Sequence, residues 1–212
     1  MMRKLLASTV LLSAMIAGGA QAAVITLNTS PATNYQQTQN SPCVIGDPSC
    51  NNPALFSSTT LAPAASVGGT YTNVGSPIYS VGQIRGIVGN SFNVGIDVNT
   101  TTSPAATEIL DSFSLVINGV TEFLFTGPTT LLSNNNGNGY SDALLSGFNL
   151  SAFAAAATAQ FFLTYHNATD GREEFFLVSS QTPGTSVPAP AALFLLGAGL
   201  VGLGAMRRRQ QS

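Results

Sequence analysis

The chain has 212 residues, of which 44% are hydrophobic and only 8% are charged. Because ordinary globular proteins are about 25% charged, uncharged Ser, Thr, Asn, Gln and Gly must form most of the exterior, as in secreted proteins that meet polysaccharide or other neutral partners. Between residues 23 and 186 the basic residues are Arg85 and Arg172, against nine acidic ones, and this balance excludes the basic surface that nucleic acid binding needs.

Residues 1–22 are predicted to be a signal peptide. Arg3 and Lys4 form a positive n-region, residues 5–17 form an apolar h-region, and residues 20–22 read A-Q-A, with small residues where the signal peptidase needs them. We expect cleavage before Ala23. The alternative, a short buried N-terminal helix, does not explain why charge, apolar run and cleavage motif occur in this order.

The two cysteines, Cys43 and Cys50, lie in the turn-rich sequence CVIGDPSC. In an exported chain such a pair is predicted to form a disulfide. Two thiols and one distant histidine do not make the four-ligand set of a zinc site, so no metal is predicted here. Residues 31–63 are rich in Pro, Asn, Gln, Ser and Thr, which predicts a stapled, irregular and peripheral segment whose disulfide adds little to core stability.

Residues 23–181 are predicted to fold as one antiparallel β-sandwich, of jelly-roll or immunoglobulin-like type. Residues 91–98, 112–117, 121–126 and 158–166 alternate apolar and polar side chains, which is typical of half-buried strands with one wet face. Asn118-Gly119 separates two of these strands and predicts a tight hairpin. The predicted core residues are Phe92, Val94, Ile96, Phe113, Leu115, Phe161 and Leu163. The same apolar faces also carry Val98, Ile117, Phe123, Phe125, Ala159 and Tyr165.

Other segments have weaker signals. Residues 24–28, 67–73 and 83–88 are predicted to be short strands. Residues 173–179 are predicted to form a further strand, which returns after a turn as the antiparallel hairpin partner of 158–166.

No catalytic residue is predicted. His166 is the chain's single histidine and G-x-S-x-G is absent, so an edge-strand histidine at a hairpin mouth is a simpler interpretation than a hydrolase. Glu173 and Glu174 are adjacent on a strand and point to opposite faces, so they cannot flank one glycosidic bond and are interpreted as a solvated strand start. Asp97 and Asp111 would bind Ca²⁺ only if loops brought further oxygen ligands to them, and neither metal nor cofactor is predicted.

Residues 134–142, NNNGNGYSD, are the most unusual internal run. The amides can hydrogen-bond sugar hydroxyls and the tyrosine can stack on a sugar ring, which suggests extracellular polysaccharide as a partner. The alternative is a solvent-exposed loop that tolerates positive φ. The candidate glycan-binding residues are Asn134, Asn135, Asn136, Asn138, Tyr140 and Asp142.

The C-terminal end combines an apolar run with a cationic end. Residues 191–206 contain no polar side chain and, as a helix, would reach about 24 Å, close to a bilayer core of about 30 Å. Arg207, Arg208 and Arg209 follow at once and predict a cytoplasmic stop by the positive-inside rule. Residues 182–186 are predicted to be a linker. A buried core helix is the alternative, and it leaves the three arginines unexplained.

The sequence Val187-Pro188-Ala189-Pro190, followed by an apolar helix and an arginine cluster, resembles the PEP-CTERM sorting signal of bacterial envelope proteins. Ala189 replaces the family's Glu, so residues 187–212 resemble a VPxPA-type variant. The resemblance covers about the last tenth of the chain and implies recognition by an exosortase-type membrane enzyme, cleavage near the motif, and release to the cell surface. The same segment is also called an ice-binding protein C-terminal domain, but the chain has no repeated T-x-T array that ice binding would need.

These features predict a non-enzymatic structural or adhesive protein of the bacterial envelope or extracellular matrix. It would be exported, anchored in the inner membrane by its C-terminal helix, and then moved to the surface. A carbohydrate-binding surface module is the alternative, and a secreted hydrolase is the third hypothesis.

Overall fold

The computed structural model of the protein describes residues 21–61, 69–99, 108–133, 139–168 and 172–180. Residues 1–20 of the predicted signal peptide, the asparagine run 134–138, the linker and the sorting segment 187–212 lie outside these ranges. Within them, no helix has the length and apolar character needed to cross a membrane.

The described chain forms two β-sheets that pack together, which confirms the predicted all-β sandwich. The first sheet consists of β1 (Ala23–Val24), β5 (Gly69–Gly75), β6 (Tyr79–Ser80), β8 (Glu108–Ile117), β9 (Val120–Leu131) and β11 (Thr158–Ala168). The second sheet consists of β2 (Thr26–Asn28), β3 (Cys43–Gly46), β4 (Thr59–Thr60), β7 (Ser91–Asp97), β10 (Ala143–Asn149) and β12 (Glu174–Ser179). A helix, α1 (Val81–Val88), precedes β7.

Strand pairing is antiparallel except at two short edges. The first sheet has the order β1-β9-β8-β11-β5, with β6 also on β11, and the second has the order β2-β10-β7-β12-β3-β4. The parallel pairs are β1 with β9 and β3 with β4. The N-terminal strand crosses from one sheet to the other at the buried residue Ile25, so it closes an edge of both.

The core lies between the sheets, and all seven predicted core residues are buried, as are the other six residues of the predicted apolar faces. Their aromatic rings are in mutual contact across the interface between the sheets. Phe113 of the first sheet stacks on Phe175 of the second, with ring centroids 5.8 Å apart, and Phe92 meets the edge of Phe161 at 6.3 Å. Strict alternation therefore identified the inward faces of four strands correctly.

The predicted hairpin at Asn118-Gly119 is confirmed. β8 and β9 pair from Ile117 and Val120 outward, and the two residues between them have φ of 50° and 81°. These positive angles are those of the turn that matches strand twist, and Asn and Gly tolerate them best.

The predicted strand at residues 83–88 is wrong, because this segment is α1. Ser80 caps the helix by accepting a hydrogen bond from the Gln83 backbone, and the Gln83 side chain accepts one from the Ser80 backbone. Val81, Ile84 and Val88 fall on one buried face, a helical spacing that the capping box reinforces.

The predicted hairpin between residues 158–166 and 173–179 is also wrong. β11 lies between β8 and β5 in the first sheet, whereas β12 lies between β7 and β3 in the second. Both edges of β11 are occupied, and Phe175 buries its ring in the core from the opposite side. His166 is consequently on an inner strand rather than an edge strand.

A second, smaller cluster covers the outer face of the second sheet. We call the irregular segments before and after β3, residues 35–42 and 47–52, the strap. Its Tyr35 and Cys50 pack with Phe176, Val178 and the fully buried Cys43. The cysteines form the predicted disulfide, but the expectation that it is peripheral is wrong.

Candidate functional site

One end of the sandwich is acidic. β7 ends there, β8 and β12 begin there, and the connection into β10 passes beside them. The carboxyl groups at this acidic end are Asp47, Asp97, Glu108, Asp142, Glu173 and Glu174. Five of the six are buried, Asp47 being half-buried, although charged side chains are seldom fully buried without a partner.

Asp97 and Glu174 form the centre of the outer part of this end. The two residues are directly opposite each other in the β7–β12 register, so their side chains lie on the same face of the sheet. They are 3% and 8% exposed. Like charges placed directly opposite on neighbouring strands destabilise a sheet, so this pair needs a proton or a cation.

Backbone hydrogen bonds hold Asp97 in place. Its Oδ2 accepts a hydrogen bond from the Gly139 backbone N–H at 3.0 Å, while its buried Oδ1 has no partner among the described residues. Gly139 is in turn tied to the strap, because its carbonyl accepts a hydrogen bond from the Gln37 N–H at 2.7 Å. On the other side of β7, Asp142 accepts a hydrogen bond from the Val98 N–H at 2.9 Å.

A cavity of about 340 Å³ opens beside the two carboxyl groups. Its walls come from the strap, the end of β7, the start of β12 and the approach to β10. The residues that line it are Gln37, Asp47, Ser49, Asp97, Asn99, Gly139 and Glu174. Every lining residue except Gly139 has an oxygen-bearing side chain, and Gly139 contributes backbone.

The strap also pairs with Arg172, the basic residue that the structure describes beside this cavity. Asp47 accepts hydrogen bonds from the Ser49 N–H at 2.7 Å and from the Arg172 guanidinium at 2.9 Å. Burial raises the pKa of Asp47, but these hydrogen bonds outweigh burial and lower it below its ordinary value. Arg172 therefore neutralises Asp47, which leaves the Asp97–Glu174 pair without a cation among the described residues.

A second carboxyl pair lies on the inner side of the same end. Glu173 is fully buried and neighbours Glu108, which is also buried. Burial, followed by the charge of Glu108, raises the pKa of Glu173 to about 9. The Glu173 carboxyl group is therefore protonated at neutral pH, and because both residues are buried the interpretation of Glu173 and Glu174 as a solvated strand start is wrong.

Burial is also the main cause of the raised pKa values of Asp97 and Glu174, the outer pair. It raises the pKa of Asp97 to about 7, with further contributions from the charges of Glu174 and Asp142. Burial, followed by the charge of Asp47, raises the pKa of Glu174 to about 7. Perturbed carboxyl groups that line a cleft are typical of functional sites, although structural networks also produce them.

The structure does not bring Asp111 to Asp97. Asp111 lies on the first sheet, where its Oδ2 is 2.6 Å from Nδ1 of His166, and both side chains are about one third exposed. Among the described residues, Asp111 is the group that His166 hydrogen-bonds, and no nucleophile completes a triad there.

The structure describes two of the six candidate glycan-binding residues, and they differ in exposure. Tyr140 is 37% exposed and pairs through its backbone with Gln36 of the strap. Asp142 is buried and turned toward the Val98 backbone. The four asparagines lie outside the described residues.

Among the described residues, one trio of Cys, His or carboxyl groups places its ligand atoms within 4.8 Å of one another, namely Cys43, Cys50 and Glu174. The disulfide occupies both sulfurs, so this trio is not a thiolate metal site. It does show that the Glu174 carboxylate rests against the disulfide at the rim of the cavity.

Comparison with known proteins yields no relative: no protein-family model, curated protein or solved structure matches the chain. The candidate site therefore stands on its own geometry.

Proposed function

We propose that the protein is an exported component of the bacterial envelope or extracellular matrix with a structural or adhesive, non-enzymatic role. In this proposal an exosortase-type enzyme processes residues 187–212, after the C-terminal helix has held the protein at the inner membrane. The carrying observation is the three-part C-terminus of a Pro motif, an apolar run and Arg207–Arg209. The Cys43–Cys50 disulfide supports export, because disulfides persist in oxidising compartments.

The sorting proposal is tested by replacing Arg207, Arg208 and Arg209 with alanine in the native host. We expect the variant to be misplaced and its C-terminus to remain unprocessed, because the cationic stop is lost. Cell fractionation and mass spectrometry of both termini provide the measurement. The matched control replaces Gln210 and Gln211 with alanine, which leaves the charge intact. Normal processing of the arginine variant would refute the proposal.

We further propose that the sandwich is of the jelly-roll rather than the immunoglobulin-like type. The support is its strand order: β9-β8-β11-β5 faces β10-β7-β12-β3, which makes two four-stranded halves. Apart from the hairpin of β8 and β9, successive members of this set alternate between the halves. A jelly roll of eight strands is wound in this way, whereas immunoglobulin constant-type domains divide seven strands.

A carbohydrate-binding module is the second candidate. Its support is the exposed ring of Tyr140 at the loop-bearing end of the sandwich, since an exposed aromatic ring can stack on a sugar. Glycan-array binding by the protein, lost in Tyr140→Ala and retained in Tyr35→Phe, would favour this candidate over a purely structural role. The hydrolase hypothesis makes a different prediction, namely hydrolytic activity that is abolished by His166→Ala.

A further inference from the structure

We propose that the cavity between the strap and the second sheet binds one divalent cation of the calcium type, with Asp97 and Glu174 as its anionic ligands. The proposal concerns these residues alone and does not depend on the sorting function. Its first support is that two nearly buried carboxyl groups face one cavity without a positive partner.

The hydrogen-bond pattern provides the second, independent support. Glu174 lines the cavity, and no described group donates a hydrogen bond to its carboxylate. The Oδ1 atom of Asp97 is likewise buried and unpaired within the described ranges. A buried acceptor without a donor destabilises the fold, and more so when it is charged. A bound cation supplies the positive partner that both carboxyl groups lack.

No neighbouring side chain among the described residues neutralises the pair. Arg172 is the basic side chain near the cavity in the described chain, and it hydrogen-bonds Asp47 instead. Gly139 satisfies only Oδ2 of Asp97. Asp142 uses an oxygen on the Val98 N–H, and it adds negative charge near Asp97 rather than removing it.

The chemistry of the walls selects the kind of cation. The lining side chains other than the two carboxylates are a third carboxylate, a hydroxyl and two amides, from Asp47, Ser49, Gln37 and Asn99. Hard oxygen donors of mixed charge suit Ca²⁺, which accepts six to eight oxygen ligands in flexible geometry and takes water for the remainder. Zn²⁺ prefers nitrogen and sulfur ligands, which the described walls of the cavity do not offer, since the neighbouring sulfurs are bonded to each other.

The strap explains how such a site can be held together. Tyr35 and Ser141 exchange two hydrogen bonds, of 3.0 and 2.9 Å, between the strap and the approach to β10. The disulfide fixes the far side of the strap against β3. The ligands come from sequence-distant elements, so cation binding should tie the strap to the sheet and stabilise the folded chain.

The test uses the protein as isolated from its native host, first freed of metal with a chelator. Thermal unfolding is followed with about 10 mM CaCl₂, with chelator, and with NaCl of matched ionic strength. At the affinities usual for extracellular calcium modules, Ca²⁺ should raise the unfolding midpoint by about 3–10 °C, whereas NaCl should not. Equal midpoints in calcium and chelator, or an equal shift with NaCl, would overturn the proposal.

Isothermal titration with Ca²⁺ assigns the site. We expect one ion per chain, and an affinity at least about tenfold weaker in Glu174→Gln and in Asp97→Asn, since even indirect partners of a metal ligand are worth about ten- to hundredfold. The matched control is Glu122→Gln, which removes a carboxylate at the opposite end of β9 and should bind as the unsubstituted protein does. Glu174→Gln and Asp97→Asn each remove one of the two opposed carboxylate charges. In chelator, these two variants should therefore unfold at a higher temperature than the unsubstituted protein. Unchanged affinity in both variants would overturn the assignment.

Discussion

At the scale of single residues, burial rather than sequence spacing makes the carboxyl groups unusual. Asp97 and Glu174 are ordinary acidic residues in the sequence, yet the pairing of β7 with β12 places them directly opposite each other. Glu173 points the opposite way into the core end and meets Glu108. Two adjacent residues at the start of β12 thus belong to two different carboxyl pairs, one open to a cavity and one buried in the interior.

These carboxyl groups predict an unusual pH dependence of the metal-free protein. Asp97, Glu174 and Glu173 have pKa values of about 7, 7 and 9, raised from 3.8, 4.5 and 4.5. The folded chain therefore binds more protons than the unfolded chain between about pH 4 and pH 9, so the free energy of unfolding should fall as pH rises through this window. Asp47, whose pKa is lowered, opposes this trend only at the acidic end.

Urea unfolding in the presence of chelator, at pH 5, 7 and 9, measures this dependence. Glu173→Gln should flatten it above pH 7, because the amide cannot ionise beside Glu108. The groups that face this network are Glu108, Asp142 and Arg172, and none of them is changed in that variant. A free energy of unfolding that rises between pH 5 and pH 9 would contradict the assignment.

Gly95 predicts a second effect of a single residue. A Cβ atom at this position would lie 2.7 Å from ring atoms of Phe176, which is fully buried under the strap. Gly95→Ala should lower the free energy of unfolding by about 1–3 kcal/mol through overpacking. Gly86→Ala is the control, because a Cβ there meets nothing within 4 Å and alanine favours a helix. Equal urea midpoints for the two variants would refute this packing argument.

At the scale of elements, the strap covers the outer face of the second sheet, so that this face is buried as well. Residues that alternation placed on a wet face, such as Asp97 and Gly95, are buried. A half-exposed strand and a strand covered by an irregular segment have the same alternating pattern when the covered side is lined with Gly, Asn and Asp. The strap therefore decides which polar residues become candidate ligands.

The disulfide is expected to matter more than its short loop suggests. Its partners are separated by seven residues, so loop closure alone places its contribution near or below the low end of about 2–4 kcal/mol. Cys43→Ser and Cys50→Ser both remove the bond. Because Cys43 is fully buried, a serine hydroxyl at this position also loses its hydration when the chain folds. We expect Cys43→Ser to cost about 1 kcal/mol more in urea unfolding. A larger cost for Cys50→Ser would show that the strap is packed differently.

At the scale of the whole molecule, aromatic contacts join the two sheets. Phe161 lies at their centre, with ring centroids 5.9 Å from Phe113 and 6.3 Å from both Phe92 and Tyr79. These contacts bring together strands from both sheets and β6 from the segment before α1. The sandwich has one main core, and the strap adds the smaller cluster on one outer face.

Phe161→Ala should therefore cost about 3–5 kcal/mol, a large part of the about 5–15 kcal/mol that stabilises a typical domain. Phe162→Ala is the matched control, because this neighbour on β11 points to the other face and is only partly buried. Chemical denaturation of both variants gives the comparison. A cost at Phe162 equal to that at Phe161 would contradict the assignment of the inward face.

Much of the fold could be predicted because its signals are local. Alternation along β7, β8, β9 and β11 identifies the inward side chains, since successive side chains of any strand point to opposite faces. Asn118-Gly119 specifies its turn through the φ angles that these two residues tolerate. The pairing of Cys43 with Cys50 could be predicted because the two cysteines are close in a chain whose N-terminal sequence predicts export.

The remainder depends on contacts between distant segments, which periodicity cannot report. The same short apolar run suits a strand or a helix, and at Val81–Val88 the capping box and the one-sided burial decide for the helix. The sheet that β12 joins depends on which edges are already occupied. The acidic end arises because Asp97 and Glu174 come into register and the strap closes over them. Local side-chain preferences therefore determined the strands and turns, whereas packing and the exclusion of water decided which carboxyl groups meet.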